Sequence, residues 1–174
     1  MSSDIEIRWL IRLDLPEVLE IEREVYEHPW VEEDFLCCMS QRNCVGFVAA
    51  ADDDDDPIAG FMIYELHRSM IRILRFTVSS YWRRQGIGTM MMEKLFGKLR
   101  RQRRKEIAVE VRESCLEGQL FLSQMGFRAR EVLRGHFDNE EDAYLMCHRL
   151  DEPEMVIPEF QGTNRIESFC EDKG

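Results

Sequence analysis

The chain has no apolar run near the ~18–20 residues that span a bilayer, so a membrane-embedded protein is excluded from the reading. Its N-terminus, "MSSDIEIRWL", carries acids early and no basic stretch. No signal peptide is expected, and the cytoplasm is the expected location. The six cysteines (Cys37, Cys38, Cys44, Cys115, Cys147 and Cys170) form no Cys-x-x-Cys pair and no Cys/His cluster at zinc spacing. No metal site is expected. Nor is a disulfide framework expected in that compartment. Positive charge is also scarce: 23 Lys and Arg face 34 Asp and Glu, a net charge of −11. That balance argues against nucleic acid as a partner.

What is present fits one domain. The 174 residues can bury a proper core. "LRRQRRK" (Leu99–Lys105) is a local basic run at a predicted helix end, where the helix dipole favours cations. "ADDDDDP" (Ala51–Pro57) lacks the spaced ligands, the central Gly and the distal Glu of a calcium loop, and reads as a solvated hairpin tip. "IEIRWLI" alternates like a strand. "LPEVLEIEREVY" has apolar residues at helical spacing with Pro in the first turn. "HPW" breaks that helix and "VEEDFLCCMSQ" makes a second. "CVGFVAAA" and "PIAGFMIYELH" predict a hairpin, followed by the strand "MIRILRFTVSS". A helix is predicted from Gly86 to about Arg104, then the strand "EIAVEVRES". The helix "LEGQLFLSQMG" stops at Gly126, and "FRAREVLRGHF" with "DAYLMCHRL" predicts a closing antiparallel pair. The order β-α-α-β-β-β-α-β-α-β-β implies a mixed sheet with packed helices, an α/β or α+β domain over residues 1–150. Residues 151–174 hold two prolines and no periodicity. They read as a loosely packed tail, or as a docking segment through Met155, Val156, Ile157 and Phe160.

"YWRRQGIGTMMMEKLFGKL" (Tyr81–Leu99) places two glycines at a helix start, just after two arginines. The first N–H groups of a helix have no internal partner. Glycines remove the side chains that would keep a ligand from them. The helix dipole and the arginines add positive charge. The stretch is a candidate pyrophosphate cradle, yet it is neither a dinucleotide fingerprint nor a P-loop. For an isolated G-x-G a plain turn is the better explanation. In its setting, R-x-x-G-x-G after a fourth strand and before a long helix resembles the acyl-CoA motif of the GCN5-related N-acetyltransferases, the GNAT superfamily. The resemblance implies acetyl-CoA as cofactor, with its pyrophosphate on Arg83, Arg84, Gln85, Gly86, Ile87, Gly88 and Thr89. It implies a mostly antiparallel sheet splayed between strands 4 and 5, with helices on both faces. The pantetheine arm would pair with the backbone around Phe76, Thr77 and Val78. "HPW" before a short helix, "VEVRESC", "GF" and "EDAYLM" are similar, more narrowly, to bacterial ribosomal-protein-alanine N-acetyltransferases.

Acetyl transfer to an amine needs a proton acceptor, a polarised thioester carbonyl and a leaving thiolate. The resemblance implies Glu110, in "AVEVRE", as the catalytic carboxylate and the Val78 amide as the oxyanion donor. Residue types alone read Glu110 as a solvated strand glutamate, paired with Arg112. The family continues S-N-x-x-A-x-x-L-Y, whereas this chain has Cys115 for the asparagine and Leu122 for the tyrosine. Cys115 and Phe121 would still flank the cofactor, but leucine cannot protonate a thiolate. Tyr26, His28 and Trp30 would line the acceptor groove, and Trp30 reads equally as a core anchor. His136 and Tyr144 would border the acceptor site and could donate a proton; residue types alone read His136 as a surface strand histidine. The acceptor the resemblance implies is a peptide or protein N-terminal α-amine. The alternatives are a small amine, such as a polyamine, aminoglycoside or amino acid, and a non-catalytic acyl-CoA-binding module.

Overall fold

The computed structural model describes residues 4–52, 57–101 and 103–150. Most of the aspartate tip and all of the 151–174 tail lie outside the described residues. The elements run β1 (Ile5–Trp9), α1 (Leu15–Val25), α2 (Glu32–Ser40), β2 (Cys44–Ala51), β3 (Ile58–Leu66), β4 (Met70–Val78), α3 (Ile87–Arg101), β5 (Glu106–Arg112), α4 (Leu116–Gln124), β6 (Arg128–Leu133) and β7 (Ala143–Arg149). This is the expected order, with α3 ending at Arg101 rather than near Arg104.

The seven strands form one sheet in the order β1-β2-β3-β4-β5-β7-β6. Every neighbouring pair is antiparallel except β4–β5, which α3 joins as a crossover. β3 sits centrally and is buried from Ile58 to Tyr64, so it reads as a continuous apolar run rather than an alternating one. Two cores cover the sheet. One packs Ile71, Ile73, Ile107 and Val111 against Met91, Leu95 and Leu99 of α3 and Leu122 of α4. The other packs Val48, Phe61 and Ile63 against Leu15, Val18 and Ile21 of α1 and Phe35 of α2.

The parallel pair is short. β4 and β5 stay in register from Met70↔Glu106 to Ile73↔Val109 and no further. β3 pairs Tyr64 with Ile73 and Ile63 with Arg75, which leaves Leu74 as an unpaired bulge. A bulge bends its strand and increases the local twist. It occurs where β4 leaves β5, while β5 remains paired with β7 along its whole length. The sheet therefore opens between Leu74–Val78 and Glu110–Arg112.

Candidate active site

The opening has one backbone edge that pairs with no neighbouring strand. The Ser79 N–H donates to the Ala59 carbonyl at 2.9 Å, and Thr77 pairs with Phe61. By alternation, the backbone groups of Phe76 and Val78 point away from β3 into the gap. Two side chains occupy their carbonyls: the Tyr26 hydroxyl donates to Phe76 O at 3.2 Å, and Arg83 Nε donates to Val78 O at 3.3 Å. Thr77, by contrast, turns its backbone to β3.

At one end of the gap lies the glycine turn. Arg84 and Gly86 both have positive φ, 61° and 79°. A Cβ on Gly86 would meet nothing within 4 Å, so glycine is needed there for the backbone and not for space. A Cβ on Gly88 would touch Phe121 at 3.4 Å and Phe76 at 3.6 Å. The rings of Phe76 and Phe121 lie 5.6 Å apart across the gap, under the start of α3. Ile87 is buried in the core, whereas Arg83, Arg84 and Gln85 are exposed and Thr89 is half-buried. Arg83 also reaches Glu117 of α4 at 3.8 Å. Cys115 sits exposed just before α4. Unpaired helix amides, two exposed arginines and a strand edge with no neighbouring strand fit a pyrophosphate joined to an amide-bearing arm.

The α1–α2 face carries the charge. Glu110 is the first β5 residue past the last β4–β5 pair. Its Oε1 accepts from Arg72 at 2.6 Å, and its Oε2 lies 2.6 Å from His136 Nε2. The pairing with Arg112 is not found; Arg112 instead bonds Glu141 at 2.9 Å. His136 is not a strand residue either, because β6 ends at Leu133 and His136 lies on the following turn. Tyr144 goes elsewhere. It stands on the α3–α4 face and lines a shallow cleft of about 230 Å³ with Gln119, Ser123, Ala129 and Met146.

Beside this carboxylate the α1–α2 loop is clamped onto β4. Arg75 lies over the rings of Tyr26 and Trp30, 4.4 and 4.8 Å from their centroids. Its Nε is 3.2 Å from Oε1 of the fully buried Glu22, which also accepts the Trp30 N–H at 2.9 Å. Burial pushes the Glu22 carboxyl up, against the opposing pull of the Trp30 amide and Arg75. Burial likewise pushes the Tyr26 phenol up to about 12, so it remains a donor. Trp30 meets Phe35 edge-on at 5.3 Å, which makes it a core anchor as well as a loop residue. His28 contributes its carbonyl to Arg75 at 3.4 Å, and the residue itself is exposed.

Residues 6–127 match the acetyltransferase (GNAT) family. The chain belongs to that family. As a GNAT protein it is an N-acetyltransferase, and its acetyl donor is acetyl-CoA. It is 25% identical over 137 residues to the [ribosomal protein bS18]-alanine N-acetyltransferase of Salmonella typhimurium, covering 77% of this chain and 90% of that one. Its fold is similar to the crystal structure of the ribosomal-protein-S18-alanine N-acetyltransferase from Escherichia coli. There the TM-score is 0.74 and the identity 22%, over 88% of this chain and 99% of that one. It is also similar to Arabidopsis thaliana NAA60 in complex with acetyl-CoA, with a TM-score of 0.75 and 16% identity over 86% and 100% of the two chains.

Within this GNAT domain Leu122 is buried in the core under α3, where it carries no proton. Arg72, Arg75 and Glu22 were missed in the sequence, although each left a trace. The arginines interrupt an otherwise apolar strand, and Glu22 sits on the apolar stripe of α1, four residues after Val18. Among the described residues no helix is long and apolar enough to cross a membrane.

Proposed function

We propose that this GNAT protein acetylates the N-terminal α-amine of a peptide or protein in the cytoplasm. The supporting observation is the opening between β4 and β5. A carboxylate and the α1–α2 loop stand on one face of it, and the glycine turn and α4 on the other. A donor and an acceptor entering from opposite faces would meet there. The resemblance of the Salmonella relative, an alanine N-acetyltransferase, points to the same acceptor class.

Bound acetyl-CoA supplies an electrophilic thioester carbonyl. The chain's residues do the rest. The amides from Gln85 to Thr89, with Arg83 and Arg84, hold the pyrophosphate. The gap-facing backbone of Phe76 and Val78, whose carbonyls Tyr26 and Arg83 reach, would bind the arm as an added strand does, with Phe121 and Cys115 flanking it. The Val78 N–H stabilises charge on the carbonyl oxygen. Glu110 is the carboxylate that drives proton removal from the amine, directly or through a group it holds. Tyr26, His28 and Trp30 form the wall against which the acceptor chain lies.

The test is thiol release from acetyl-CoA against a panel of N-terminal peptides, polyamines, aminoglycosides and free amino acids. Turnover of peptides alone is expected. Turnover confined to small amines would replace the acceptor assignment. Binding of acetyl-CoA without any turnover would make the protein an acyl-CoA-binding module, the reading that the missing tyrosine allows.

A further inference from the structure

Both oxygens of Glu110 are engaged, and one partner is a second titratable group. A carboxylate is an acceptor only, so the His136 nitrogen facing it at 2.6 Å carries the hydrogen. In neutral imidazole the other nitrogen, Nδ1, then holds the lone pair. The His136 side chain is 33% exposed, so its ring is open to an incoming group. The turn that carries it is braced on all sides. The Asp142 carboxylate accepts from the Gly135 N–H at 2.8 Å and from Arg134 at 2.6 Å. Glu141 accepts from the Ser114 hydroxyl, from the Ser114 N–H at 2.9 Å and from Arg112. Those Ser114 bonds, aided by Arg112 and Asn139 and opposed by desolvation, hold the Glu141 carboxyl down to about 2. Arg112 covers the Phe137 ring at 3.7 Å, and that ring meets the His136 ring edge-on at 5.0 Å.

We propose that His136 is the catalytic acid–base of this enzyme, and that Glu110 acts through it as a positioning residue. This rests on the acetyltransferase reading above and answers the absence of a phenol at Leu122. The acceptor ammonium first loses one proton to solvent. As the amine nitrogen bonds to the acetyl carbon, its surplus proton passes to Nδ1 of His136, giving imidazolium. The carbon–sulfur bond breaks with its electron pair on sulfur. The imidazolium returns the proton to that sulfur, giving the free thiol of CoA and neutral His136. One residue thus serves as base and then as acid, and Glu110 stabilises the imidazolium between the two steps. The charged groups set around His136 are Arg72 from β4, Glu110 and Arg112 from β5, and Arg134, Glu141 and Asp142 on its own turn.

The experiment has two independent arms on the full chain. In ¹⁵N NMR of the imidazoles, neutral His136 should be the Nε2–H tautomer, and Glu110→Ala should release that preference, because it removes the acceptor facing Nε2. In kinetics, His136→Gln should lower kcat about a hundredfold or more, with acetyl-CoA affinity unchanged. Glu110→Gln, whose amide oxygen still accepts from Nε2–H, should lower kcat far less than His136→Gln. An Nδ1–H tautomer, a His136 tautomer indifferent to Glu110→Ala, a Glu110→Gln enzyme as slow as His136→Gln, or a His136→Gln enzyme at full kcat would each overturn the proposal while leaving the acetyltransferase standing. If no amine is turned over by the unaltered protein, the acetyltransferase reading fails, and the NMR arm alone decides the His136–Glu110 pairing.

Discussion

Replacing Glu22 tests whether the clamp on the α1–α2 loop is held by charge or by shape and hydrogen bonding. Glu22 is fully buried, with Arg75 Nε at 3.2 Å and the Trp30 N–H at 2.9 Å on the same oxygen. Removing one partner of a buried pair often costs about 3–5 kcal/mol. Here the balance differs, because burial outweighs Arg75 and the Trp30 amide and leaves the Glu22 pKa raised. The neutral form is thus favoured by the fold even with Arg75 in place. Glu22→Gln keeps the shape and the acceptor oxygen, and should stay within about 1 kcal/mol of wild type at pH 7, since the charge it removes was itself opposed by burial. Glu22→Ala leaves the Trp30 amide without its acceptor, costing about 1–3 kcal/mol. It also deletes one buried methylene, Cγ, at about 0.8 kcal/mol. A total of about 3 kcal/mol should lower Tm by about 6–12 °C in a domain of this size.

The pH dependence has a definite sign. A carboxyl whose folded pKa lies above its unfolded value of about 4.3 binds its proton more tightly when folded. Its contribution is full at low pH and declines as pH rises through the raised folded value. The stability of wild type relative to Glu22→Gln should therefore fall across that window in urea melts. Because the clamp holds the Tyr26 hydroxyl on the Phe76 carbonyl, Glu22→Ala should also raise the peptide KM and leave acetyl-CoA affinity alone. A Glu22→Gln protein as unstable as Glu22→Ala would show that the ion pair outweighs burial, and would refute this reasoning.

The two glycines of the turn should separate cleanly. Gly86→Ala forces a Cβ onto φ +79° and should cost about 1–2 kcal/mol, read as a lower Tm. Gly88→Ala sits inside α3 with only ordinary contacts and should gain up to about 1 kcal/mol of helix propensity while weakening acetyl-CoA binding in calorimetry; unchanged affinity would remove Gly88 from the cofactor site. Near β1, burial raises the Asp14 carboxyl, but Arg8, bidentate at 2.8 Å, and the Ile11 N–H outweigh it and hold the pKa down. Asp14 thus contributes stability above its unfolded pKa of about 3.9, lost as pH falls through the depressed folded value. The Tm gap between wild type and Asp14→Asn should close there, and a gap constant from pH 7 to 2 would refute it.

The glycine turn, the element order and the position of Glu110 were legible because each is local: a helix start, a hydrophobic period, an alternating strand. His136 was named as a residue bordering the acceptor, but its pairing with Glu110 was not legible. It lies 26 residues from Glu110, on a turn of polar composition. Only the β5–β7 register, with Glu110 opposite Leu145, and the length of the turn bring the two together. Arg72 and Arg75 were unread for a related reason, although their trace was in the strand itself. In "MIRILRFTV" the apolar phase runs through Ile71 and Ile73, slips at Leu74, and resumes at Phe76 and Val78. A strict alternation would set Arg75 in the core under α3 and turn Phe76 toward α1. With Leu74 as the bulge, Arg75 faces Glu22 and the Phe76 ring meets Phe121. The same extra residue bends β4 away from β5. One slip in a hydrophobic pattern therefore opens the sheet, aims a cation at the α1–α2 loop and turns an aromatic ring toward α4. No list of conserved-looking motifs would contain it, because the information lies in the phase of the apolar residues and not in their identity.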